Sequence, residues 1–303
     1  MSVFVAGASG TIGVPLVRAL VDAGHHVTAL TRSIDKRQGL RALGATPAVA
    51  DALDAAALRN VVTAAQPTHV IHQLTALPKD GVVRRASDLT QTNRLRIDGT
   101  RNLLAAAIAA GAKRFIGGSF APLQGIDPSA VPDAREAAAA VESMESQILE
   151  ASRSGAIEGI VLRYGLFYGR GNPATQKMIA MVRWRMLPVV RGDRSLLPCV
   201  HMADAVSATV AALDRGSPGS VFNIVDDRSV SMTEIVRTLA AFAGAPSPFT
   251  VPAWVARVLA PYMAGMTALS LSLTNETAKA ELGWRPMYPT IRDGLAHMTA
   301  RAA

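Results

Sequence analysis

The chain has 303 residues, with Lys+Arg 31 against Asp+Glu 23 (formal net charge +8), an apolar share of 50% and one cysteine. That length suits one large core or a domain with a smaller lobe, and the lone Cys199 excludes an internal disulfide and a cysteine-based metal site. The basic residues are scattered, dense only at 31–37 and 183–185, which argues for a solvated surface with one anion pocket and against a nucleic-acid partner.

The first apolar run, Val3 to Ala6, has no charged segment before it and a glycine loop directly after it. It reads as a buried first strand rather than a signal peptide, and a cytoplasmic protein is expected. Gly7-Ala8-Ser9-Gly10-Thr11-Ile12-Gly13 follows, then a helix with apolar Ile12, Leu16, Ala19 and Leu20 that ends at Gly24, then a second strand, HVTAL. Glycines in the pattern G-x-x-G-x-x-G between a strand and a helix are the sign of a dinucleotide loop. Gly7 permits the tight turn, Gly10 lets backbone approach a pyrophosphate, and Gly13 brings helix against strand. The helix amino terminus turns unpaired N–H groups toward the phosphates.

The end of the second strand separates NAD from NADP. An acid there accepts hydrogen bonds from a ribose 2′-hydroxyl, whereas an Arg neutralises a 2′-phosphate. This strand delivers Thr31, Arg32 and Ser33, with no acid before Asp35. NADP is therefore the preferred cofactor, with NAD the alternative.

Alternation continues along the chain. TPAVADALD is a third strand leading into a helix near Asp54, THVIHQLTAL a fourth strand, 86–110 a long helix, KRFIGGSF a fifth strand and GIVLRYGLFYG a sixth. Between the last two, Asp133 and Glu136 form a capping-box pattern ahead of a helix to about 152, whose Ala137, Val141, Met144, Ile148 and Ala151 make an apolar stripe. The pattern specifies an α/β fold, a doubly wound parallel sheet covered on both faces, with ligand at the carboxyl ends of the strands. Residues 1–170 form the nucleotide-binding domain. Residues 171–303 form mostly a smaller substrate lobe, with segments that return to the sheet. In that lobe TQKMIAMVRWRML is a helix with Met178, Met181, Val182 and Trp184 toward the body. The stretch 246–273 is apolar apart from Arg257, and Pro261 argues against its spanning a membrane.

Together GASGTIG, Asp51 after the third strand, THVIHQLTA, GTRNLLAAA (99–107), VLRYGLFYGRG (161–171), CVHMADAVSA (199–208), VFNIVDD (221–227) and LGWRP (282–286) resemble the extended or atypical short-chain dehydrogenase/reductases of the NAD-dependent epimerase/dehydratase-like group. The resemblance implies that Gly7, Ser9, Gly10, Thr11, Ile12 and Gly13 cradle the cofactor, with Arg32 at its 2′-phosphate. It implies further that Asp51 contacts the adenine, that Leu74 and Thr75 line the cofactor's centre, and that Tyr164 to Leu166 approach the nicotinamide. In the alternative reading Asp51 caps a helix and Tyr164 is core packing.

Redox members of that group carry Tyr-x-x-x-Lys on one helix face. Here the four tyrosines are Tyr164, Tyr168, Tyr262 and Tyr288, and none has Lys four residues later. A gapless count places Ala137 and Val141 at the two positions, and a slip of one brings in Glu142. The hydroxyl usual after the fifth strand falls at Phe120, beside Ser119. Tyr168 and Ser119 are the replacement catalytic candidates. His201 with Asp204 reads as structural, Glu145 as solvent-facing and His72 as packing beneath the cofactor. No metal site is expected. The expected function is an NADP(H)-binding reductase-like enzyme, or an isomerase or epimerase, acting on a small apolar metabolite. The alternative is a non-catalytic redox sensor or interaction module. Helices 86–110 and 133–152 offer the surface for a homodimer.

Overall fold

The computed structural model describes residues 1–123, 134–255 and 270–300. Its main sheet is built from β1 (Ser2–Ala6), β2 (His26–Thr31), β3 (Thr46–Val49), β4 (His69–His72), β5 (Arg114–Phe120) and β6 (Glu158–Tyr164). Three two- or three-residue strands follow, β7 (Leu166–Tyr168), β8 (Val189–Val190) and β9 (Cys199–His201), and then β10 (Val221–Ile224) and β11 (Thr250–Val251). Seven strands pair in parallel in the order β10-β6-β5-β4-β1-β2-β3. The carboxyl half of the chain thus supplies one edge of the sheet.

Period-2 alternation shows why these segments are strands. Val3 and Val5 of β1 face one hydrophobic cluster, while Phe4 and Ala6 face the other, all fully buried. On the first face pack α1 (Gly13–Asp22), through Leu16 and Leu20, and the helix Met202–Asp214, through Ala205, Ala208 and Ala212. The second face is covered by helices Ala55–Ala65, Thr100–Ala109 and Arg135–Arg153, through Leu58, Val62, Leu103, Met144 and Ile148. A third cluster holds the lobe together, joining helices Pro173–Arg183, Met232–Phe242 and Ile291–Ala300. Among the described residues no helix is long and apolar enough to cross a membrane.

The order in which successive strands are laid down reverses between β1 and β4, so a crevice opens there at the carboxyl ends. Several boundaries differ from the sequence expectations. The fourth strand stops at His72, whose pairing with Ala6 is closed by the Gln73 N–H donating to the Ala6 carbonyl. The sixth breaks at Gly165, where a Cβ would lie 2.8 Å from the backbone of Cys199, and β7 leaves the sheet to pair with β9. The long helix contains a π-helical turn, Leu95–Gly99. Trp184 does not face the body: it is 79% exposed at the end of its helix. Asp133 of the expected capping box lies outside the described residues, and the helix runs Arg135–Arg153.

Candidate functional site

At the switch point a cleft of about 880 Å³ runs from the β2 end of the sheet to the lobe. Its floor is the glycine loop. Gly7 holds φ +88°, and a Cβ on it would stand 2.4 Å from the carbonyl oxygen of Gln73; one on Gly13 would stand 2.1 Å from the carbonyl oxygen of Gly7. Only glycine fits at either position. The Gly10 N–H donates to the Gly7 carbonyl at 3.0 Å, closing the turn against the start of α1. Gly7, Ser9, Gly10, Thr11 and Ile12 line the cleft, while Gly13 lies beneath and sets the close approach of helix to strand. This cradle, backed by a helix amino terminus, fits a dinucleotide pyrophosphate.

At the adenosine end Arg32, Ser33 and Lys36 all line the cleft. Asp35, the acid that stood against a 2′-phosphate, is exposed and lies outside the lining. Thr31 Oγ1 ties Ser9 Oγ (3.2 Å) and the Ser33 N–H (3.2 Å) into one network. Asp51 also lines the cleft, and its Oδ1 accepts the N–H of Leu53 at 2.9 Å. The helix that follows is capped by Asp54 instead, so Asp51 is not its N-cap.

Leu74, Thr75, Tyr164 and Leu166 line the middle. The Tyr164 hydroxyl accepts from Gln73 Nε2 at 2.9 Å and lies 2.6 Å from Thr209 Oγ1. Since Thr209 donates to the carbonyl of Ala205 (2.7 Å), the phenol donates to Thr209. Burial pushes this phenol up to about 12. A Cβ on Gly118 would stand 2.3 Å from Gln73 Oε1, so that glycine makes room for the amide. Behind the loop His72 is fully buried, which pulls it down to about 4 and keeps it neutral. Its Nδ1 accepts the Leu74 N–H (3.2 Å), so Nε2 carries the proton and donates to Thr100 Oγ1 (2.9 Å). His72 therefore orients the loop under the cofactor path.

The two catalytic candidates sit in different surroundings. Ser119 lines the cleft, and its hydroxyl donates to Glu145 Oε1. Glu145 is 5% exposed, not solvent-facing as its charge suggested. Arg163 on β6 holds it through two prongs, Nε at 3.0 and 3.1 Å and Nη2 at 2.6 Å. Val141 and Ala137 stand four and eight residues earlier on the same buried face, whereas Glu142 is exposed. Tyr168 lines the cleft with its ring, but its hydroxyl donates to the carbonyl of Thr290 at 3.1 Å and packs where Gly294 leaves space. Burial pushes its proton loss far upward. The hydroxyl is thus turned to the Thr290 carbonyl of the lobe, with the Asp226 carboxyl beside it.

His201 and Asp204 are structural. His201 Nδ1 caps its helix by accepting the Ala203 N–H (3.3 Å), and burial brings it down to about 4. The Asp204 carboxylate receives the N–H groups of Met287 (2.7 Å) and Tyr288 (3.0 Å). Near them, Asp226 is 2% exposed beside the Tyr168 phenol, and burial first, then the charge of Asp204, pushes it up to about 8. The buried Cys199 thiol is likewise raised by burial, an inert state. No group of metal-ligating side chains occurs among the described residues.

The lobe closes the far end with Met178, Met181, Leu187, Met232, Ile235 and Leu239. Overhead, Leu77 to Val83 form a roof tied down by Asp80, which pairs with Arg84 and with Lys177 (2.6 Å) of the lobe. Those pairs, Arg84 first, hold the Asp80 carboxyl below its ordinary range. Sequence reasoning missed Lys36, the Gln73 amide contact, Glu145 with Arg163, and the lobe's contribution from Met232 onward. Lys36 had a signal in the dense 31–37 stretch; Glu145 had one in its spacing from Val141.

The profile of the NAD dependent epimerase/dehydratase family matches residues 3–225. A Streptomyces protein named 3-diazoavenalumate denitrifying reductase is 36% identical over 97% of this chain and 99% of its own length. A Stigmatella aurantiaca ketoreductase, named for a 4-hydroxy-2-methyl-3-oxo-4-farnesyl-3,4-dihydroquinoline-1-oxide, is 27% identical over 96% of this chain and 83% of its own. The fold is that of the NAD complex of Thermus thermophilus UDP-glucose 4-epimerase, with TM-score 0.75, 22% identity and 99% of both chains covered. The chain belongs to the NAD dependent epimerase/dehydratase family, as an enzyme of its oxidoreductase or epimerase type.

Proposed function

We propose that this enzyme is an NADP(H)-dependent reductase for an apolar, electron-poor metabolite, reduced without proton donation from a tyrosine. The observation that carries the reading is the cleft's division. One end offers Arg32, Ser33 and Lys36, with Asp35 outside the lining; the other is walled by methionine, leucine and isoleucine side chains. A bound nicotinamide supplies hydride. The chain's own residues do the rest: the glycine loop holds pyrophosphate, Arg32 and Lys36 neutralise a 2′-phosphate, and the lobe excludes water from the reacting end.

The helix face where related redox enzymes carry Tyr and Lys presents buried Ala137 and Val141. Ser119 already donates its proton to Glu145, so it offers an incoming group an acceptor oxygen. A reaction that needs no proton suits such a site. The name of the 36%-identical relative joins a diazo substrate, loss of nitrogen and reduction. Replacing a diazonium group by hydrogen consumes one hydride and releases dinitrogen, and it balances with no proton added. Arenediazonium ions of apolar build are therefore the substrate class to try first, since a neutral diazo compound would need a proton as well.

The test begins with nicotinamide fluorescence titrations of NADPH and NADH. Arg32→Ala is expected to weaken NADPH about 10- to 100-fold, the range for a charge-assisted contact, and to leave NADH unchanged. Equal affinity for the two cofactors refutes the phosphate assignment. NADPH consumption with an arenediazonium salt, measured above the rate without protein, then tests the chemistry. Tight NADPH binding with no turnover of any diazo probe returns the redox-sensor reading.

A further inference from the structure

The helix Pro173–Arg183 does two things. Met178 and Met181 on one side wall the cleft; its far end carries Arg183, Trp184, Arg185 and Met186, four consecutive exposed residues. Trp184 is 79% and Met186 65% exposed. The chain then runs into β8, which pairs with β11, and the Val189 N–H donates to the carbonyl of Phe249 at 3.0 Å. That pairing brings Phe249 and Trp254, 46% and 68% exposed, onto the same part of the lobe, with exposed Arg191 donating its N–H to the Val251 carbonyl.

The turn is held against a backbone cost. The Arg185 N–H donates to Val182 and the Met186 N–H to Met181, a helix ending that puts Arg185 at φ +55°. Glycine usually occupies this left-handed position, and another side chain there is strained. The arginine is present where the backbone favours its absence. Among the described residues, the Arg183, Arg185, Arg191 and Arg194 side chains make no ion pair or hydrogen bond, and the nearby Asp193 carboxylate is already bound by Ser195 and Thr233.

We infer that this face of the lobe docks on an anionic lipid bilayer. Aromatic rings sit at headgroup depth, and guanidinium groups meet lipid phosphates just above them. Arg-Trp-Arg-Met places both kinds of group on one turn. The guanidinium groups, which have no carboxylate partner among the described residues, complement an anionic surface, whereas a second copy brings the same arginines face to face. Docking here holds the helix that walls the cleft at the membrane surface. The inference stands independently of the cofactor and substrate assigned above.

The test is co-sedimentation with vesicles of phosphatidylcholine alone and with about 30% phosphatidylglycerol, with tryptophan emission as a second readout. Of the chain's three tryptophans, Trp284 is 4% exposed, so a blue shift reports Trp184 and Trp254. Binding to the anionic vesicles, absent from the neutral ones and released by high salt, is the expected result. Arg183→Ala with Arg185→Ala is expected to lower partitioning about 30-fold while leaving NADPH affinity and Tm near wild type. Failure to bind either vesicle, or equal binding by this variant, overturns the inference. So does a change in oligomeric state in the variant without a change in lipid binding, which assigns the patch to a second copy.

Discussion

Arg163 and Glu145, on a strand and a helix of the same sheet face, form a two-pronged ion pair whose third partner is the Ser119 hydroxyl in the cleft. The pair fixes the rotation of the helix Arg135–Arg153, and with it which residues face the reacting end. Glu145→Ala leaves a guanidinium that is 28% exposed without its carboxylate. Breaking such a pair by removing one partner is expected to cost about 2–4 kcal/mol, measured by urea unfolding. Glu145→Gln, which keeps an acceptor for Ser119, is expected to lose less.

Tyr168→Phe tests whether the phenol donates a proton. The variant loses one hydrogen bond to the Thr290 carbonyl, worth about 1 kcal/mol, and keeps the ring that lines the cleft. Turnover within about twofold of wild type is the outcome expected of a phenol whose role is the Thr290 contact. A collapse of kcat with unchanged cofactor affinity restores Tyr168 as the proton donor.

Buried groups set a pH dependence of stability. His72 and His201 titrate near 4 in the folded chain, below the ordinary 6.5, so between those values the unfolded chain binds more protons and stability rises with pH. Asp226 titrates near 8, above the ordinary 3.8, so the folded chain binds the extra proton across that window and its contribution falls as pH rises. The two histidines, joined by His69, which burial also lowers, outweigh Asp226 up to about pH 6.5; above it Asp226 dominates, with Asp204 raised by burial in the same direction. Tm is expected to peak near there. Asp226→Asn is expected to raise Tm by about 4 °C or more at pH 8.5 and to matter little at pH 4. A flat difference between the two proteins across pH would show that Asp226 is not a buried acid.

Gly118→Ala crowds the Gln73 amide, whose Nε2 bonds the Tyr164 hydroxyl. A loss of about 1–3 kcal/mol is expected, with weaker NADPH binding in the same variant, because Gln73 and Tyr164 both line the cleft. Stability loss with cofactor affinity intact would separate Gln73 from the cofactor path.

What was legible in the chain was what short spacing encodes. The glycine loop, Arg32, Asp51, Leu74 and Leu166 follow strand ends, and strands in a parallel sheet deliver their carboxyl ends to one crevice. Glu145 was illegible for a physical reason: a charge on a helix implies water until its partner is known, and Arg163 comes 18 positions later on a strand. The direction of the Tyr168 hydroxyl depends on Thr290, 122 positions away. Helical periodicity placed Trp184 inward, but the helix ends at Arg183, and the left-handed Arg185 turns the following residues outward.

The roof over the cleft is fastened to the lobe by the pair Asp80–Lys177, while Arg84 holds Asp80 within the roof itself, all partly exposed. Contacts of that kind respond to dissolved ions, which screen them within about 8 Å at physiological strength. Added salt is therefore expected to weaken the tie between residues 77–83 and the lobe, and a weaker nucleotide affinity at high salt would report it.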